Sequence, residues 1–86
     1  MSTHQKYRHD LLRTKPYCEY CKNRISVGQA TLDHVMPRVR GGKNAKDNLV
    51  LTCKKCNSVK GDMTKERWDE VLPILRNVRY FTMSRR

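Results

Sequence analysis

Cys18-Glu19-Tyr20-Cys21 and Cys53-Lys54-Lys55-Cys56 repeat one spacing, and between them lies Asp33-His34. Two thiolates two residues apart sit on one tight turn and grip a tetrahedral Zn²⁺ from one side, so two such turns complete a closed structural site. The two pairs therefore predict a zinc clip that draws distant parts of the chain together. The residues enclosed by the pairs are expected to converge around it.

Size favours such a clip. A chain of 86 residues is one domain, here taken as 1–86, and a domain this small buries only a modest fraction of its unfolded surface, so it often needs a metal or disulfide staple. Apolar residues make up 37% and aromatics 7%, enough for a small core around a metal but poor for an unaided one. Structural zinc contributes roughly 10–16 kcal/mol in finger-like peptides, so the metal-free chain is expected to be largely unfolded. Two disulfides are the alternative use of the cysteines. No charged-then-apolar leader opens the chain and no run is long enough to span a bilayer, so the expectation is a cytoplasmic, reducing setting without a membrane partner.

The net charge is +11, and four thiolates with one zinc would lower it to +9. Such a surface attracts a polyanion through counterion release, whereas solubility alone asks for a net charge of about 2 to 8. From Val35 to Lys60 the basic residues Arg38, Arg40, Lys43, Lys46, Lys54, Lys55 and Lys60 face the single acid Asp47. Arg38 and Lys60 are the nearest candidates for phosphate contacts, with Arg40, Lys43, Lys54 and Lys55 as sequence-independent backbone contacts. A solvated charged face is the plain rival reading for each.

Local patterns supply the elements. Tyr7 to Arg13 reads as a short helix with Leu11 and Leu12 inward, stopped by Lys15-Pro16. Ala30 to Val35 alternates like a strand, Arg40-Gly41-Gly42-Lys43 is a turn, and Asn48 to Thr52 is a second strand running into Cys53. Asn57 to Lys60 reads as a helix closed by Gly61 in the left-handed region. Thr64 is the expected N-cap of a last helix, with Trp68, Val71, Leu72, Leu75 and Val78 on one core-facing side. Pro73 either kinks that helix or starts a second one. The tail Met83 to Arg86 is expected to fray, and His4 and His9 to be solvated.

Taken together, Leu32-Asp33-His34-Val35-Met36-Pro37-Arg38, Gly41-Gly42, Asp47-Asn48-Leu49-Val50-Leu51 and Cys53-x-x-Cys56-Asn57-x-x-Lys60-Gly61, with both knuckles, resemble the HNH nuclease family. The resemblance implies a small α+β zinc-stapled domain with a ββα-metal (HNH, or His-Me finger) core over about 18–62. An N-terminal helix and a helical extension over about 64–80 flank it. It also implies that His34 is the general base, that Asp33 and Asn57 hold a divalent ion, and that Asn48 holds the loop. Histidine is common where Asn57 stands. Hard oxygen ligands favour Mg²⁺ or Mn²⁺ at that position, and zinc at the cysteines.

The chemistry agrees with that expectation. An unperturbed imidazole titrates at about 6.5 and suits deprotonation of water near neutral pH, while a carboxylate beside it can bind a metal. Adjacent strand residues point to opposite faces, so Asp33 and His34 flank one phosphate only if the strand is distorted or ends there. Each has a rival: His34 as a core histidine or extra zinc ligand, Asp33 as a turn residue, Asn57 as a helix cap. The leading function is a metal-dependent DNA endonuclease that nicks or cuts through both strands. The alternative is a non-catalytic zinc ribbon that binds nucleic acid, and a thiol redox protein ranks third because no βαβ pattern accompanies the pairs. Free-standing members of the family occur in phage packaging and restriction-type systems, which implies a larger partner such as a terminase subunit.

Overall fold

Ser2 sets the start of the first helix. A computed structural model describes residues 2–77, and in it α1 spans Thr3–Thr14. The Ser2 hydroxyl accepts from the Gln5 amide at 3.1 Å while the Ser2 amide donates to Gln5 Oε1 at 3.0 Å. That reciprocal pair satisfies donors the helix start would leave bare. The helix therefore begins well before Tyr7. Leu11 and Leu12 pack on the core as their pattern predicts.

The first knuckle follows, with Lys22 in the left-handed region at φ 66° to close it. Strand β1, Ala30–His34, then pairs antiparallel with β2, Leu49–Cys53. Ala30 lies opposite Cys53 and His34 opposite Leu49. Burial along β1 departs from strict alternation, because Ala30 and Asp33 are buried and Leu32 is not. The polar residue takes the inward place since partners wait for it there.

β2 runs directly into α2, Lys54–Lys60. Its N-cap is Cys53, whose sulfur accepts from the Cys56 amide at 3.4 Å. The helix thus starts before Cys56 rather than after it, and Asn57 is an interior residue instead of a cap. Gly61 ends it with a positive φ of 51°, but at ψ −126° this is not the left-handed cap the sequence suggested.

Thr64 caps α3, Lys65–Arg76, by accepting from the Arg67 amide at 3.1 Å. Pro73 lies inside this one continuous helix. Its missing N–H removes a single bond on an exposed turn, and the helix persists because Trp68 and Leu72 anchor it. Val71 and Leu75 pack beside them. Val78 and the tail Met83 to Arg86 lie outside the described residues.

One core unites these pieces. Cys18, Cys56, Tyr20, Ile25, Leu51, Trp68 and Leu72 form a buried cluster, so the cysteines sit inside the apolar centre. Tyr20 meets Trp68 edge to face at 5.3 Å, the arrangement favoured by ring quadrupoles. The Arg76 guanidinium donates to the Tyr20 carbonyl and ties the far end of α3 to the first knuckle.

Candidate active site and zinc centre

The four cysteine sulfurs lie within 4.8 Å of one another, and none is in a disulfide. Cys21 and Cys53 sulfurs are 3.9 Å apart. Zn–S bonds of about 2.3 Å in a tetrahedron put sulfurs about 3.8 Å apart, so the residues present fit zinc. Charge argues the same way. Hydrogen bonds from Cys21, Cys53 and Cys56 push the Cys18 thiol well below its ordinary range, while Cys18, Cys21 and Cys53 push Cys56 well above it. Four thiols packed together need a cation to carry a common charge state.

Elsewhere in the fold, β1, α2 and the loop after β1 enclose an open cavity of about 270 Å³. Asp33, His34, Arg38 and Asn57 all line it, together with Asp62. Asp33 and His34 share this cavity because β1 ends at His34, where the regular alternation stops.

Asp33 is buried, and its Oδ2 is held twice. The Tyr20 hydroxyl donates to it at 2.7 Å, and the Lys60 ammonium stands at 3.0 Å. Lys60 also donates to the His34 carbonyl at 3.1 Å. Burial and then the Asp33 contact push the Tyr20 phenol well above its ordinary range, so it stays a donor. Sequence reasoning placed Lys60 on a phosphate. In this structure its side chain has no exposure and its charge is spent on Asp33. A signal existed: Cys56 and Lys60 are four residues apart on α2, so they share the inward face.

Breaking this pair should be expensive. Lys60→Met is expected to lower stability by about 3–5 kcal/mol, because a buried carboxylate would lose its counter-charge. Urea unfolding of the zinc-loaded variant measures it; a loss under about 1 kcal/mol would mean the pair is solvated and weak.

Asn48 spans the loop between the strands. Its Oδ1 accepts from the Met36 amide at 2.8 Å, and its Nδ2 donates to the carbonyls of Met36 at 3.1 Å and Lys43 at 2.8 Å. Gly42 completes the fold of this loop, since a Cβ there would lie 1.7 Å from the Met36 oxygen. The same loop carries exposed Arg38, Arg40 and Lys43, with Arg40 Nε donating to the Asp62 carbonyl at 2.6 Å. Lys54 is exposed on α2, whereas Lys55 lines a separate cavity beside Cys21, Cys53 and Arg24. The basic candidates therefore divide: Arg38 lines the site, Arg40 and Lys43 are exposed on the same loop, Lys54 is exposed on α2, Lys55 lies beside Cys21 and Cys53, and Lys60 lies inside.

Two neighbours of His34 were not expected. His4 is half-buried, its ring centroid 5.9 Å from that of His34, so α1 reaches across the site. This corrects its reading as a solvated residue; His9 is exposed as expected. The capping pattern Ser2 to Gln5 was the signal for the longer helix, and His4, Tyr7 and Leu11 then share a face. Asn44 Oδ1 lies 2.9 Å from His34 Nε2, and nothing in its sequence surroundings marks it.

A two-stranded antiparallel sheet passing into a helix, clipped by four cysteines and presenting Asp-His opposite a helical Asn, defines the ββα-metal class. Comparison narrows this further. The HNH endonuclease family matches residues 18–72, and the chain belongs to that family. Among curated proteins, the CRISPR-associated endonuclease Cas9 of Corynebacterium diphtheriae is 36% identical over 52 residues, covering 59% of this chain and 5% of that protein. Cas9 of Actinomyces naeslundii is 35% identical over 52 residues with the same shares, so the chain spans about 5% of the length of these relatives. No helix among the described residues is long and apolar enough to cross a membrane.

Proposed function

We propose that the chain is a metal-dependent endonuclease that hydrolyses phosphodiester bonds in DNA. The observation that carries this reading is the convergence of Asp33, His34, Arg38 and Asn57 on one open cavity. Asp33 and Asn57 offer hard oxygen donors suited to Mg²⁺ or Mn²⁺, and both contacts of the Asp33 carboxylate among the described residues fall on Oδ2, leaving Oδ1 as the ligand atom. A divalent ion bound there would supply charge stabilisation for the phosphoryl group and its leaving oxygen. His34 takes the proton of the attacking water, Arg38 orients the phosphate with its planar fork, and Tyr20 and Lys60 hold Asp33 in place. Asn48 keeps the loop that carries Arg38 in one shape.

The test is incubation of supercoiled plasmid with purified protein and Mg²⁺ or Mn²⁺. Relaxed or linear product is the expected result, and plasmid that stays intact with either metal would overturn the reading. A non-catalytic zinc module that binds nucleic acid is favoured by one feature, the ammonium already seated on Asp33. It predicts binding without cleavage, and His34→Ala would then be silent.

Binding itself should be strongly salt-dependent. With Arg38, Arg40, Lys43 and Lys54 as phosphate contacts, affinity is expected to fall by about 10²-fold between 50 and 200 mM salt, on a slope near −0.9 per contact. Removing one of the four should reduce that slope by about one, equally for all sequences. Titration by fluorescence anisotropy at several salt concentrations measures both; a flat salt response would rule out backbone binding. A larger partner that supplies sequence specificity is consistent with a site module that, among the described residues, offers one short helix, α2, beside the site.

A further inference from the structure

Among the described residues, the side chain of His34 makes one hydrogen bond, from Nε2 to Asn44 Oδ1 at 2.9 Å. An amide oxygen has no proton to give, so Nε2 is the donor in every charge state of the ring. In the neutral imidazole the single proton is then kept on Nε2, and the lone pair is left on Nδ1. The loop makes this contact repeatable: Asn48 Nδ2 holds the carbonyl of Lys43, the residue before Asn44, at 2.8 Å.

We propose that Asn44 is a positioning residue that fixes the tautomer and orientation of His34, so that Nδ1 is the atom that accepts the proton. The proposal rests on the cleavage reaction put forward above and names the part of it that Asn44 controls. In that reaction the water oxygen bonds to phosphorus and one water proton moves to Nδ1. The P–O3′ bond breaks with its electron pair going to O3′, which takes a proton from solvent. The ring then carries a proton on each nitrogen. Asn44 still accepts from Nε2 in that state, so the same contact serves before and after transfer. A ring without it can turn about χ2, whose energy surface is broad, and present the wrong edge to the water.

The experiment has two arms on the full, zinc-loaded chain. In the first, two-bond ¹H–¹⁵N correlation spectra at about pH 8, above the ordinary imidazole range of about 6.5, read which nitrogen of His34 carries the proton. Wild type is expected to show the proton on Nε2 alone, Asn44→Leu a mixture of tautomers, and Asn44→Asp, which keeps the acceptor, the wild-type pattern. In the second, plasmid cleavage by Asn44→Leu is expected to lose 10- to 10²-fold in kcat with KM unchanged, and Asn44→Asp to recover most of it. A wild-type proton on Nδ1, an Asn44→Leu spectrum identical to wild type, or unchanged kcat in Asn44→Leu would each overturn the proposal. The spectra need no cleavage. A protein that never cuts would therefore sink the endonuclease reading while the tautomer remained readable.

Discussion

Removal of zinc is expected to unfold this chain. Treatment with a zinc-selective chelator should abolish the helical far-ultraviolet dichroism, and stoichiometric Zn²⁺ should restore it. The size of the effect follows from two magnitudes. Structural zinc contributes roughly 10–16 kcal/mol at neutral pH, whereas a folded domain is stable by about 0.05–0.15 kcal/mol per residue, roughly 4–13 kcal/mol for this length. The metal term matches or exceeds the whole. Its position makes compensation impossible, because Cys18 and Cys56 have no exposure and lie within the cluster containing Tyr20, Ile25, Trp68 and Leu72. Cys56→Ser should behave like the chelated protein. Persistent helicity in a chain shown by metal analysis to be zinc-free would refute this account and return the burden of stability to the apolar residues.

Substitution of His34, the proposed base, gives the second large effect. His34→Ala is expected to lower the cleavage rate by about 10²–10⁴-fold, the usual contribution of a positioned general base. Its affinity for DNA should remain close to wild type, since the proposed phosphate contacts come from other side chains. Folding should also survive: His34 is only half-buried, and its side chain bonds to exposed Asn44. Initial rates on supercoiled plasmid at saturating metal, with anisotropy for binding, separate these quantities. Cleavage at the wild-type rate would exclude His34 as the base. Equal loss of binding and cleavage would instead make it a contact residue.

Much of this architecture was legible because it depends on local rules. The cysteine spacing states the four-cysteine metal-binding cluster, paired runs of apolar residues state the strands, and Thr64 states the start of α3. Other features escaped for physical reasons. The cap of α2 is a cysteine, which hydroxyl-based capping rules do not seek, so the helix was expected to start too late. Pro73 left two readings open, a kink in one helix or the start of a second, and the burial of Trp68 and Leu72 keeps a single helix through it. Lys60 counted as surface charge because most lysines are exposed. Only the packing of α2 on β1 shows that a carboxylate waits inside for it. Tyr20 and Asn44 act through distances that no spacing encodes, 2.7 Å to Asp33 and 2.9 Å to His34.

The first helix bears on how this domain can be moved between proteins. The family match begins at Cys18, but His4 lies against the His34 ring, and Lys46 sits 5.2 Å above the ring of Tyr7. A segment excised at the motif boundary and grafted elsewhere would carry the four cysteines, Asp33 and Asn57 but leave the His34 ring uncovered on one flank. The transferable unit includes Ser2 to Thr14.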